Sequence, residues 1–144
     1  MTVAHLDVPG SQAWVLDHIG HVVTNLDEST RRYTELAGGV VELKEDISDQ
    51  LVQVAFIRIG GSLIELIAPL AGNTNLQSFL KKRGEGLHHL CFKVNSVDAE
   101  LGRLKTAGIE VIDANPRIGS RGLKVAFLHP RACSGVLIEL CSEK

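Results

Sequence analysis

The chain has 144 residues, 44% of them hydrophobic and 22% charged, with a formal net charge of −2. That is enough for about one domain with a core of its own, and the near-neutral balance excludes a broadly basic nucleic-acid-binding surface. The apolar runs are too short for a membrane-spanning helix of about 20 residues, and three cysteines without CxxC spacing give neither a disulfide framework nor a zinc knuckle.

Residues 1–14, MTVAHLDVPGSQAW, lack the basic start and long apolar core of a signal peptide. They read as a loosely held extension ahead of a single domain at 15–144, in a reduced, cytoplasmic setting. LDHIGHVV at 16–23 is apolar and β-branched, a first strand. NLDESTRRYTELAGG follows, with polar capping residues at its start and Gly38–Gly39 at its end, which predicts a helix. LVQVAFIRI and GSLIELIAP form a hairpin across Gly60–Gly61, and NLQSFLKKRGEG at 75–86 reads as a linking helix. Then LHHLCFKV predicts a strand, and NSVDAELGRLKTAG a helix with Leu101 and Leu104 at helical spacing and Gly108 as terminator. LKVAFLHP and GVLIELCS pair across a longer loop. Cys91 and Cys141 lie in apolar runs, as small core residues do.

The two halves repeat one another. At an offset of 71, Leu16 meets Leu87, His18 meets His89, Val23 meets Val94 and Asp27 meets Asp98. The same offset carries VAFI at 54–57 onto VAFL at 125–128, and with three extra residues LIEL at 63–66 falls on LIEL at 137–140. Four matches in one order mark a duplication. The predicted architecture is α+β: two tandem βαβββ modules, about 15–70 and 86–142, joined by a helix at about 74–84 and forming a paired, cup-shaped mixed sheet.

Each half carries one His in its first strand and one Glu in its last. A lone strand Glu is ordinarily a solvent-face residue, and a lone strand His ordinarily a hydrogen-bonded structural group. Here the same two residue types recur in the same two strands. Side chains alternate along a strand, so Glu65 shares a face with Leu63, opposite Ile64 and Leu66. If the equivalent faces meet, His18, Glu65, His89 and Glu139 converge as two imidazoles and two carboxylates, a donor set suited to Mn, Fe, Co, Ni or Zn. His88 competes with His89; the repeat pairs His88 with Asp17 and selects His89, and alternation turns His88 away. His129 reads as structural or rim-lining. Arg117, Arg121 and Lys124, and Lys81–Lys82–Arg83, read as solvated surface charge.

LDHIGHVV, GEGLHHLCFKV at 84–94 and PRIGSRGLKVAFLHPRACSGVLIEL at 116–140 resemble the corresponding motifs of the methylmalonyl-CoA epimerases, in the vicinal oxygen chelate (glyoxalase/bleomycin resistance/dioxygenase) superfamily. The resemblance spans residues 15–142. It implies paired modules around one divalent ion, Co2+ first, with Mn2+, Ni2+ or Zn2+ as alternatives. The ligands it implies are His18, Glu65, His89 and Glu139. It further implies an acyl-CoA substrate, α-proton transfer, a homodimer, and no nucleic-acid or membrane partner. Some members carry Gln in place of Glu65 and a Glu acid/base in the preceding strand. Here that position is Val54, which leaves Glu65 and Glu139 as the catalytic pair. A glyoxalase I-like isomerase and a metal-free binding module of the same fold are the alternative readings.

Overall fold

The structure is a computed structural model that describes residues 12–143. β1 (Val15–Val22) leads into α1 (Leu26–Ala37). The Asn25 side chain caps this helix by accepting the Glu28 N–H, and Gly38 ends it in the left-handed conformation, φ 67°. β2 (Val40–Ile47), β3 (Val52–Ile59) and β4 (Ser62–Pro69) form an antiparallel meander. Its second turn is tight because Gly60 takes a positive φ of 56° between Ile59 and Ser62, which pair directly. α2 (Thr74–Arg83) then crosses to β5 (Gly86–Lys93), followed by α3 (Val97–Thr106), β6 (Arg117–Ile118), β7 (Lys124–Leu128) and β8 (Ile138–Ser142).

All eight strands lie in one mixed sheet of order β2-β3-β4-β1-β5-β8-β7-β6. The duplicated first strands, β1 and β5, pair antiparallel at its centre, and each runs parallel to the last strand of its own module. The two ends of the sheet curl toward each other as a half-barrel. Gln50, after β2, donates to the Ile118 carbonyl of β6, and Glu45 of β2 accepts the Arg121 backbone N–H. Those residues stand at opposite ends of the strand order, so the bonds require curvature.

Strand alternation divides the side chains between two faces. On the convex side Ala55, Ile57, Leu66 and Ala68 pack with Leu26 and Tyr33 of α1. The second module repeats this with Ala126, Leu128, Ile138 and Leu140 against Val97, Leu101 and Leu104 of α3. On the concave side Val54, Phe56, Leu63 and Ile67 form a second cluster with Leu76, Phe79 and Leu80 of α2. Glu65 falls between Leu63 and Ile67 in β4, and so belongs to the concave face.

Two details go beyond the expected pattern. The second strand of the second module is short: only Arg117–Ile118 and an isolated Val111–Leu128 bridge stand where the first module has β2. Asp113 takes over, its carboxylate accepting the Phe127 N–H while the N–H groups of Ile112 and Asp113 both reach the Phe127 carbonyl. Most of segment 1–14 lies outside the described residues, but its end is held. The Trp14 indole donates to Glu100 at 3.1 Å and packs against Phe92, and Asn95 donates to Gln12. Among the described residues no helix is long and apolar enough to cross a membrane.

Leu101→Ala, which empties a buried position under α3, should cost about 2–5 kcal/mol in urea unfolding. Leu36→Ala, on the exposed face of α1, should stay within about 0.5 kcal/mol.

Candidate active site and metal centre

The paired strands β1 and β5 supply both histidines. His18 stands opposite Cys91 and Gly20 opposite His89. A Cβ on Gly20 would lie 2.2–2.7 Å from the His89 ring, so the imidazole occupies the space that any larger residue would fill. The His18 ring meets Phe56 edge-on at 5.3 Å and the His89 ring meets Phe127 at 5.7 Å. Phe56 pairs with Glu65, and Phe127 with Glu139. The repeated VAF segment thus sets an aromatic ring beside each imidazole and a carboxylate on the neighbouring strand.

The four predicted residues come together. His18 Nε2 and His89 Nε2 are 3.3 Å apart. Glu65 Oε1 is 3.8 Å from the first and 3.6 Å from the second; Glu139 Oε1 is 3.6 and 3.7 Å from them. His18, Glu65 and His89 are buried, and Glu139 is nearly so. Donors bonded tetrahedrally to one dication at 2.0–2.2 Å would be separated by about 3.3–3.6 Å, close to these spacings. His18, Glu65 and His89 each bring a ligand atom within 4.8 Å of the others. Both imidazoles turn Nε2 inward while Nδ1 is engaged elsewhere, by Asp17 at 2.7 Å and by His88 at 2.9 Å. The donor set and its convergence fit a divalent ion.

Burial dominates the electrostatics of the metal-free site. It pushes the Glu65 carboxyl up to about 7, the Glu139 charge adding to the rise against the pull of His18, Ser120 and Arg121. Burial raises Glu139 as well, although His18 and the neighbouring Cys91 thiol counteract that. Burial and the neighbouring histidines hold His89 well below the ordinary imidazole range. At Asp17 burial works the other way and loses. Hydrogen bonds from His18 and Arg121 keep this carboxyl well below the usual carboxylate range.

A cavity of about 580 Å³ opens onto this set, walled by Val54, Ile67, Leu76, Phe127 and Leu137, with Glu65, His89 and Glu139 reaching into it. Val54 itself lines it, so β3 presents no acid/base there.

The matching family model is the Glyoxalase/Bleomycin resistance protein/Dioxygenase superfamily, over residues 17–127. An ethylmalonyl-CoA/methylmalonyl-CoA epimerase of Cereibacter sphaeroides is 36% identical over 127 residues, 87% of this chain and 95% of that protein. The mitochondrial methylmalonyl-CoA epimerase of Mus musculus is 33% identical over 134 residues, 90% of this chain and 75% of the mouse protein. The chain belongs to the methylmalonyl-CoA epimerase family. A solved member of this family, in complex with methylmalonyl-CoA and NH4+, superposes with a TM-score of 0.85 at 33% identity, covering 92% of this chain and 96% of that one. Membership makes the chain an isomerase of the epimerase class.

Three neighbours of the site depart from expectation or escaped it. Arg121, read as surface charge, turns inward: it pairs with Asp17 and lays its guanidinium 4.6 Å from the Phe56 ring centre. His88, read as turned away, contacts His89 and lines the cavity, because β5 is irregular there. Ser120 donates to Glu65 Oε2 at 3.1 Å from 55 residues away, a contact that depends on the curl of the sheet. His129 is structural, accepting the Arg131 N–H at the start of a 3₁₀ turn.

Gly20→Ala should drive the His89 ring from its place without disturbing the hydrophobic clusters. A displacement near 1 Å is worth on the order of 100-fold in activity, and Co2+ affinity, read by calorimetry, should fall with it.

Proposed function

We propose that this protein is a divalent-metal-dependent epimerase that interconverts (2R)- and (2S)-methylmalonyl-CoA. The observation that carries this reading is the convergence of His18, His89, Glu65 and Glu139 in one cavity of a chain whose relatives are epimerases of this substrate. These four residues would hold the ion, Co2+ first and Mn2+, Ni2+ or Zn2+ as alternatives, since nitrogen and oxygen donors suit all four. When bound, it supplies Lewis-acid polarisation of the thioester carbonyl and so acidifies the α-proton.

The carboxylates do the proton transfer. Glu65 and Glu139 occupy equivalent places in the two modules, so they approach a substrate between them from opposite faces. One accepts the α-proton, and the other returns a proton to the opposite face. In the metal-free site burial already raises the Glu65 carboxyl to about 7, toward the range in which a group both takes and returns protons at neutral pH. Ser120 donates to Glu65 Oε2, which leaves Oε1 turned toward the two imidazole nitrogens. Val54 contributes no base, so Glu65 is assigned both roles, ligand and proton carrier. A cytoplasmic homodimer completes the proposal.

The test is α-hydrogen exchange of (2S)-methylmalonyl-CoA in D₂O with the Co2+-loaded protein. Exchange should stop with chelator and return with cobalt. Absence of exchange alongside turnover of a glutathione hemithioacetal would replace the epimerase reading by a glyoxalase I-like one. Glu65→Gln should lower kcat by about 10²–10⁴; full activity in a variant that still binds metal would reassign the proton transfer.

Proton competition supplies a second check. Glu65 must lose its proton to coordinate, and its raised pKa means that it is protonated below about 7. Co2+ affinity should therefore rise with pH, about tenfold per unit for one displaced proton, and level off above that point. A flat profile between pH 5.5 and 7 would remove Glu65 from the ligand set.

A further inference from the structure

The ladder between β1 and β5 breaks register twice. Leu16 pairs with Phe92 and His18 with Cys91, so Asp17 has no opposite residue; Gly20 pairs with His89 and His21 with Leu87, so His88 has none. An extra residue of this kind bends its strand and re-aims side chains. Both extra residues stand one position before a candidate ligand histidine. They are also equivalents under the offset of 71 that relates the modules. Each meets the same atom of its neighbour: Asp17 Oδ2 lies 2.7 Å from His18 Nδ1, and His88 Nδ1 lies 2.9 Å from His89 Nδ1.

We propose that Asp17 and His88 are positioning residues, which set the ring nitrogen that each ligand histidine presents to the metal. The inference rests on the metal reading above. An ionised carboxylate only accepts, and Asp17 at 2.7 Å is nearer to His18 Nδ1 than Arg121 Nη2 at 3.3 Å, so Nδ1 carries the proton and Nε2 is left for coordination. Arg121 donates to the same Asp17 oxygen and keeps it anionic. Between His88 and His89 one Nδ1 donates and the other accepts. With Nε2 as the coordinating atom, His89 is the donor and His88 the acceptor. The His88 ring is braced edge-on against Phe79 at 5.3 Å, which holds its Nδ1 in that place. The duplication has thus kept a geometric device, the bulge before the histidine, while changing its chemistry from a carboxylate to an imidazole. Neither residue is a ligand in this scheme.

The experiment measures Co2+ affinity by calorimetry and, in Zn2+-loaded ¹⁵N-histidine protein, the protonated ring nitrogen by long-range ¹H–¹⁵N NMR. The wild type should show Nδ1–H on both His18 and His89. Asp17→Asn, whose amide donates as well as accepts, should weaken Co2+ binding by about 10–100-fold, and His88→Leu by about tenfold. His88→Gln keeps an acceptor and should recover most of that loss. Arg121→Gln removes the ion pair but leaves the Asp17–His18 contact, and should weaken binding less than Asp17→Asn. Coordination through Nδ1 in the wild type would overturn the inference, as would equal losses in Arg121→Gln and Asp17→Asn. If Asp17→Asn does not fold, the His88→Leu and His88→Gln pair decides. Wild-type protein that binds no Co2+ defeats the metal reading itself. Wild-type binding left within twofold by both Asp17→Asn and His88→Leu defeats this inference alone.

Discussion

Two carboxylates buried beside two imidazoles are the constraint on which the rest of the structure depends. An ionised carboxylate taken out of water costs several kcal/mol unless its charge is met. The fold places Glu65 and Glu139 on the concave face of one sheet, each opposite a phenylalanine and each within 4 Å of both inward nitrogens. Nearby features offset that cost. Ser120 donates to Glu65, the Cys91 thiol neighbours Glu139, and a divalent ion would neutralise both carboxylates at once. Gly20 leaves room for the His89 ring to reach them.

The geometry also explains how a precise site survives on so small a chain. All four residues sit on strands near the centre of the sheet, where backbone pairing on both sides and a helix behind each module limit their freedom. The pseudo-twofold then supplies two equivalent carboxylate positions on the concave face. The loop around Ser120 and Arg121 breaks the symmetry. It belongs to the second module but grips Glu65 and Asp17 of the first, tying the two ends of the sheet across the cavity. Glu65 and Glu139 are therefore equivalent in fold and different in environment, as an acid/base pair working on opposite faces of one substrate would need.

Some of this was legible before any coordinates. The offset of 71 paired His18 with His89, the LIEL repeat paired Glu65 with Glu139, and alternation put Glu65 on the face of Leu63. The capped α1 helix and the Gly60–Gly61 hairpin followed from local chemistry, because caps and tight turns are decided within a few residues. Three features followed other rules. His88 contacts the candidate ligand His89 because a bulge suspends the alternation that an ideal strand obeys. Arg121 leaves solvent because a carboxylate and an aromatic ring await it on the other module. The second strand of the second module shrinks because the Asp113 side chain replaces ladder bonds that its backbone would have made.

The sequence by itself determined the duplication, the strand–helix order and the residue types at the four key positions, since these rest on periodicity and repetition along the chain. Tertiary structure decided which polar neighbours act on those four. The curl of the sheet brings Ser120 to Glu65 and Arg121 to Asp17, and the register of β1 against β5 turns Asp17 and His88 onto the histidines. Curvature and register are set by the summed twist and packing of eight strands, which no local stretch of sequence encodes.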